Sequence, residues 1–134
     1  MTECVLISVV DDDESIRDST KTLLRSAGYA VATFESGELF LESDALPDTQ
    51  CLVLDIQMPG MSGLELQRRL NISNSEVPVI FVTAHDNKTN RKLAIDAGAS
   101  EIFPKPFSAS AFLMAVDTVL RNCADRLAAR ARTD

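Results

Sequence analysis

Five short runs of β-branched and aliphatic residues alternate along the chain with stretches of helical periodicity, and few folds accommodate that alternation. The first run, Val5-Leu-Ile-Ser-Val-Val10, is stopped by Asp11, Asp12 and Asp13. From Glu14 to Ala27, the residues Ile16, Thr20, Leu23, Leu24 and Ala27 share one helical face, and Gly28 provides a C-terminal stop. Ala30–Phe34 reads as a second strand, and Ser36–Ser43 as a short helix with Leu39 and Phe40 facing inward. Cys51–Leu54 has no polar residue, as expected of a central parallel strand covered on both faces. Ser62-Gly-Leu-Glu65 forms a capping box that starts a third helix carrying Leu64, Leu66 and Leu70. Val77–Val82 is the fourth strand, Asn87–Ala97 a polar helix closed by Gly98, and Glu101–Phe103 the fifth strand. A last helix runs from about Ser108 toward Arg130. The pattern predicts an α/β fold, a single doubly wound five-stranded parallel sheet with right-handed crossovers and helices on both faces.

At 134 residues the chain suits one domain with a proper core. Its net charge of −7 argues against a broad electrostatic grip on nucleic acid or an anionic membrane surface. No apolar run approaches the roughly 18 residues of a membrane span, and no basic start leads into an apolar segment, so a cytoplasmic protein is expected. Cys4, Cys51 and Cys123 are odd in number and far apart, which reads as reduced core thiols. Residues 1–121 are assigned to the domain and 122–134 to a C-terminal helical extension or linker. There Arg126, Arg130 and Arg132 stand among small alanines, with Leu127 the only large apolar residue. This segment fits either a frayed helix end or a stalk toward a second domain or a partner.

The polar landmarks cluster just past strand ends. In an open parallel sheet these positions converge on one crevice, where ligands bind. An acidic run before a helix ordinarily serves as cap and dipole complement, and Asp13 suits that role. One acid suffices for a cap, however, and three adjacent acids repel one another. With Asp12 and Asp55 facing the same crevice, a cation is needed between them. Magnesium (or manganese) suits such a set, being a hard ion held by one or two carboxylates together with phosphate oxygens and water, with Asp11 as a supporting acid through water. Asp55 is delivered by the apolar third strand, and the tight Pro59-Gly60 turn follows it. Its carboxylate can act as a nucleophile and form an aspartyl phosphate, and the Gln57 backbone carbonyl can complete the metal shell. Thr83 closes the fourth strand ahead of Ala84, placing a hydroxyl beside open space. Lys105 sits between Pro104 and Pro106, which fix the backbone around an aimed ammonium, and the Lys105–Pro106 bond is a candidate cis peptide.

Val9-Val-Asp-Asp-Asp13, Leu54-Asp-Ile-Gln-Met-Pro-Gly-Met-Ser-Gly63, Val82-Thr-Ala84 and Pro104-Lys-Pro-Phe107 stand in the order and at the spacing of the receiver domains of bacterial two-component response regulators. The chain resembles that family over about residues 4 to 121. The resemblance implies a flavodoxin-like strand order of 2-1-3-4-5. It implies that Asp55 is the phosphoacceptor, taking phosphate from a sensor histidine kinase or a phosphotransfer protein. Magnesium would be held by Asp12, Asp55 and the Gln57 carbonyl with Asp11 supporting, and Thr83, Ala84 and Lys105 would sense the phosphoryl group. His85, like Gln57, would border the site and tune the loss of phosphate. The change would be relayed to the face formed by helix 4, strand 5 and helix 5, a surface also suited to a phosphorylation-dependent homodimer. Many receivers carry Tyr or Phe three residues before the lysine, where this chain has Ile102. Phe103 lies one residue later and points to the other face, so it reads as core and the aromatic relay is replaced by a smaller packing change at Ile102.

Other readings fare less well. An aspartyl-phosphate phosphatase needs a second aspartate two residues after the nucleophile, and Asp55-Ile-Gln57 lacks it. A flavin phosphate after the first strand would be repelled by three aspartates. A receiver-like interaction module that is never phosphorylated is the remaining alternative, and the intact set of Asp12, Asp55, Thr83 and Lys105 speaks against it.

Overall fold

A computed structural model describes residues 5–132 apart from 74, 85, 86 and 106, with the side chains of 123–132 outside the described set. Strands β1 (Leu6–Val10), β2 (Ala30–Phe34), β3 (Thr49–Asp55), β4 (Val79–Thr83) and β5 (Glu101–Pro104) alternate with helices α1 (Glu14–Ser26), α2 (Gly37–Glu42), α3 (Gly63–Ile72), α4 (Lys88–Asp96) and α5 (Ala109–Arg132). A single 3-10 turn, Leu46–Asp48, precedes β3. All four strand pairings are parallel, and the sheet order is β2-β1-β3-β4-β5.

Local chemistry explains most of the boundaries. Asp13 caps α1 by accepting from the Ser15 and Ile16 amides at 2.9 and 3.3 Å, and Ser62 caps α3 by accepting from Glu65 N at 3.2 Å. Gly28 and Gly98 follow α1 and α4 at φ of 95° and 99°, the left-handed conformation that ends a helix and that other residues adopt at a cost.

Side-chain alternation along the strands divides the core in two. On one face Val10, Leu52, Leu54, Phe81 and Ile102 pack with Phe40 of α2, Leu66 and Leu70 of α3, and Ala94 of α4. On the other, Ile7, Val9, Val53, Ile80 and Val82 pack with Leu24 of α1 and with Phe112, Val116 and Val119 of α5. Full burial of one such side chain is worth about 1.5–3 kcal/mol, so β1, β3 and β4 form a rigid centre from which the strand ends project.

Three expectations need correction. Leu39 is 47% exposed while Phe40 is fully buried. Neighbouring residues on a helix point about 100° apart, so a two-turn helix that turns Gly37 and Phe40 inward leaves Leu39 outside. Ala27 is exposed, because α1 ends at Ser26 and the chain then turns away. Strand β3 also begins earlier than its apolar run: Thr49 is buried because its hydroxyl bonds Ser8 Oγ at 2.7 Å and the Ala45 carbonyl at 2.7 Å. Cys51 is a buried thiol, whereas Cys4 lies outside the described residues, as do the side chains of Cys123, Arg126, Leu127, Arg130 and Arg132. Helix α5 runs without a break across position 122 to Arg132. Among the described residues no helix is long and apolar enough to cross a membrane.

Candidate functional site

The carboxyl ends of β1, β3, β4 and β5 bring Asp11, Asp55, Thr83 and Lys105 to one end of the sheet. Asp55 is the last residue of β3 and Thr83 the last of β4, with Asp55 in register beside Val82. Asp11 and Lys105 are the first residues beyond β1 and β5. Carboxylate oxygens of Asp11, Asp12 and Asp55 lie within 4.8 Å of one another, the first and last buried and Asp12 turned to solvent. Three hard oxygen donors with one open side match what a small divalent cation requires.

Lys105 closes the cluster from β5. Its Nζ donates to Asp11 Oδ2 at 2.8 Å and lies 3.4 Å from Asp55 Oδ2. Burial alone would depress the ammonium, but the hydrogen bond to Asp11 and the charges of Asp55 and Asp11 outweigh it and raise the Lys105 pKa. The lysine is therefore a fixed positive charge between two acids. Asp55 is pushed up from 3.8 to about 6, first by burial and then by the Asp11 charge, against the lowering effect of Lys105. At neutral pH it is mainly ionised, yet it stands close enough to its protonation point for pH to matter. Its Oδ1 accepts weakly from Gln57 N at 3.4 Å.

The main chain links the strand ends. Lys105 N donates to the Thr83 carbonyl at 2.7 Å, and Ile56 N to the Val82 carbonyl at 3.2 Å. Thr83 is buried and Ala84 is exposed beside it. On the β1 side, Asp11 Oδ1 accepts from Asp13 N at 2.9 Å, and the Arg17 guanidinium donates to the Asp11 carbonyl at 2.7 Å.

Of the predicted site residues, the structure brings together Asp11, Asp12, Asp55 and Lys105, with Thr83 tied to Lys105 through the backbone and Gln57 exposed next to Asp55. His85 and the candidate cis bond at Pro106 lie outside the described residues. Ile102 is buried on the α4 side of the sheet, paired across with Phe81. Phe103 points to the opposite face and joins Phe107 and Phe112, with ring centroids 6.1 and 5.8 Å away. The strand alternation of the sequence thus places the aromatic ring away from the Ile102 side.

Gly63 is a site residue whose role the motif alone conceals. A Cβ at this position would stand 2.1 Å from the Asp55 carbonyl oxygen, while Gly63 N donates to the Ile56 carbonyl at 2.8 Å. The start of α3 thus lies directly against the backbone that presents Asp55. The sequence signal is a glycine immediately after a serine cap, where no turn demands one.

The sequence profile of the response regulator receiver domain matches residues 7–117. The chain is 36% identical over 126 residues to the transcriptional regulatory protein FixJ of Azorhizobium caulinodans, covering 94% of this chain and 60% of that protein. It is 38% identical over 116 residues to the response regulator protein TmoT of Ectopseudomonas mendocina, covering 87% and 53% of the two chains. Among solved structures, that of the response regulator StyR superposes with a TM-score of 0.86 at 44% identity, over 98% of this chain and 67% of that one. A response regulator receiver protein from Burkholderia phymatum superposes at 0.77 and 44% identity, over 87% and 94%. The chain belongs to the response regulator receiver domains, the receiving modules of two-component phosphorelay signalling. It spans about half to three-fifths of the length of the curated relatives it matches.

Proposed function

We propose that this chain accepts a phosphoryl group on Asp55 in a magnesium-dependent reaction and passes the resulting change to an output domain or partner. The observation that carries the proposal is the convergence of Asp11, Asp12 and Asp55 within 4.8 Å, with Lys105 bridging two of them. Asp12, Asp55 and the Gln57 carbonyl would hold the cation, with Asp11 supporting through water, and the cation would neutralise charge on the transferring group. An ionised Asp55 oxygen attacks phosphorus, an O–P bond forms, and the N–P bond of a phosphohistidine breaks. The leaving imidazole nitrogen then takes a proton from solvent. Lys105 has its ammonium already at the site and can exchange its contact with Asp55 for one with a phosphoryl oxygen. The 2.7 Å main-chain hydrogen bond from Lys105 N to the Thr83 carbonyl keeps together the strand ends that carry the hydroxyl and the ammonium. Hydrolysis of the acyl phosphate by water resets the switch, with Gln57 and His85 as the neighbours that tune its rate.

The donor is a histidine kinase or a phosphotransfer protein. An apolar groove of about 340 Å³ is lined by Ile16, Thr20, Leu23, Phe107, Ala109 and Lys105, the lysine whose ammonium lies 3.4 Å from Asp55, and offers such a donor a surface. The output side is the face of α4, β5 and α5. Helix α4 exposes Leu93 and Ile95 on either side of its buried Ala94, at 46% and 64%, and α5 exposes Met114 at 71%, apolar surface that suits a phosphorylation-dependent homodimer or an output domain. The domain is assigned to residues 1–121, with 122–134 as its extension, and the cytoplasm is the compartment that suits a kinase-fed receiver.

The test is incubation with a small-molecule phosphodonor and magnesium, followed by intact mass. A gain of one phosphate that disappears with chelator and in Asp55→Asn is the expected result. No gain in the native sequence would favour an interaction module that works unphosphorylated.

A further inference from the structure

Arg17 occupies the first turn of α1, where the partial positive charge of the helix end disfavours a cation and where Glu14 is the ordinary choice. The guanidinium is not simply solvated: it folds back past the cap and donates through Nη1 to the Asp11 carbonyl at 2.7 Å. That carbonyl belongs to the peptide joining Asp11 to Asp12. The torsions on either side of this peptide set the direction in which the Asp12 side chain leaves the strand end.

The other groups of Asp11 are held as well. Its amide donates to the Phe34 carbonyl at 3.1 Å. One carboxylate oxygen accepts from Asp13 N at 2.9 Å and the other from Lys105 Nζ at 2.8 Å. Asp12 is exposed, and the carbonyl of the peptide that precedes it accepts the hydrogen bond from Arg17. A charged donor makes a stronger hydrogen bond than a neutral one, which suits a loop where three acids repel each other.

We infer that Arg17 is a positioning residue for divalent-cation binding: it locks the Asp11–Asp12 peptide so that the Asp12 carboxylate stays in the cluster with Asp11 and Asp55. The inference rests on the metal-dependent reading of the site proposed above. Two effects of the guanidinium have opposite signs, and this makes the idea testable. As a nearby positive charge it weakens cation binding by Coulomb repulsion, so a purely electrostatic role predicts tighter binding once it is removed. As a positioning group it strengthens binding, so its removal predicts weaker binding.

The experiment is calorimetric titration of the unphosphorylated protein with magnesium chloride, comparing the native sequence with Arg17→Met, Arg17→Lys and the remote Arg121→Met. The expected result is a loss of about tenfold in magnesium affinity for Arg17→Met, the scale typical of groups that orient metal ligands. Arg17→Lys should recover most of it, since one donor suffices for the single Nη1 bond, and Arg121→Met should match the native protein. Unchanged or tighter binding by Arg17→Met would overturn the inference while leaving the metal site intact. No magnesium binding by the native protein would instead overturn the reading of the site itself. Arg17→Gln repeats the comparison if the methionine variant does not fold, and far-UV circular dichroism without magnesium reports which variants do.

Discussion

Asp55→Asn separates the energetic cost of a buried carboxylate from the chemistry proposed for it. The Asp55 carboxyl is pushed from 3.8 to about 6, mainly by burial. A carboxyl raised in the folded state favours folding at low pH. That contribution is fully present below 3.8 and is lost as pH rises through about 6. At about 1.4 kcal/mol per pH unit, ionised Asp55 costs the fold about 3 kcal/mol at pH 8 and roughly half of that at pH 5. Asparagine carries no charge and can still accept from Lys105, so the variant escapes this cost. Urea unfolding of both proteins at pH 5 and pH 8, without divalent cations, should show the variant gaining on the native protein by about 1 kcal/mol between the two pH values. Other effects of the substitution that do not depend on pH cancel in that difference. A gap that stays flat, or that narrows toward pH 8, would refute a raised Asp55. Magnesium at pH 8 should then restore the native protein by mass action and leave the variant unmoved.

Further expectations concern the surroundings of the nucleophile. Gly63→Ala would set a methyl 2.1 Å from the Asp55 carbonyl oxygen and should destabilise by about 3 kcal/mol in urea unfolding, with a parallel fall in phosphate uptake. Lys105→Met removes the charge that holds the Asp55 carboxyl down, so the pH midpoint of phosphodonor labelling by intact mass should rise by roughly one unit. Asn71→Ala breaks the 2.9 Å bond to the Ala97 carbonyl and the 2.9 Å bond from Gln67 Nε2, whose buried Oε1 already lacks a partner. The cost should be about 1–2 kcal/mol, with faster amide hydrogen exchange at the end of α4.

The strand-end acids, the threonine and the lysine were legible because a parallel sheet sends every strand end to one edge, a consequence of topology rather than of any single residue. Ile102 and Phe103 were legible for a similar reason, since strand alternation alone puts them on opposite faces. The flanking prolines aimed Lys105 at the carboxylates, and its pairs with Asp11, 94 positions away, and Asp55 bear that out. The contact of Ser8 with Thr49 across 41 positions was not legible, because no local pattern joins them. Gly63 and Arg17 carried signals of a subtler kind, each being a residue out of keeping with its place in a helix start. Leu39 misled because a six-residue helix is too short for its periodicity to fix a face.

The two sides of the sheet are packed differently, and this bears on where a disturbance at Asp55 would be felt. On the α5 side, Phe103, Phe107 and Phe112 pack ring against ring, with Phe107 and Phe112 stacked at 4.7 Å. Displacing that cluster means separating large aromatic surfaces, each worth more than its area alone. Helix α4 buries only Ala94, so its displacement sacrifices little more than one methyl group of contact. Strain spreads toward the weakest restraint. Packing of this kind predicts a spring clamped along one edge: α4, with its exposed Leu93 and Ile95, should yield before the aromatic cluster does, and amide hydrogen exchange on phosphorylation should be fastest there.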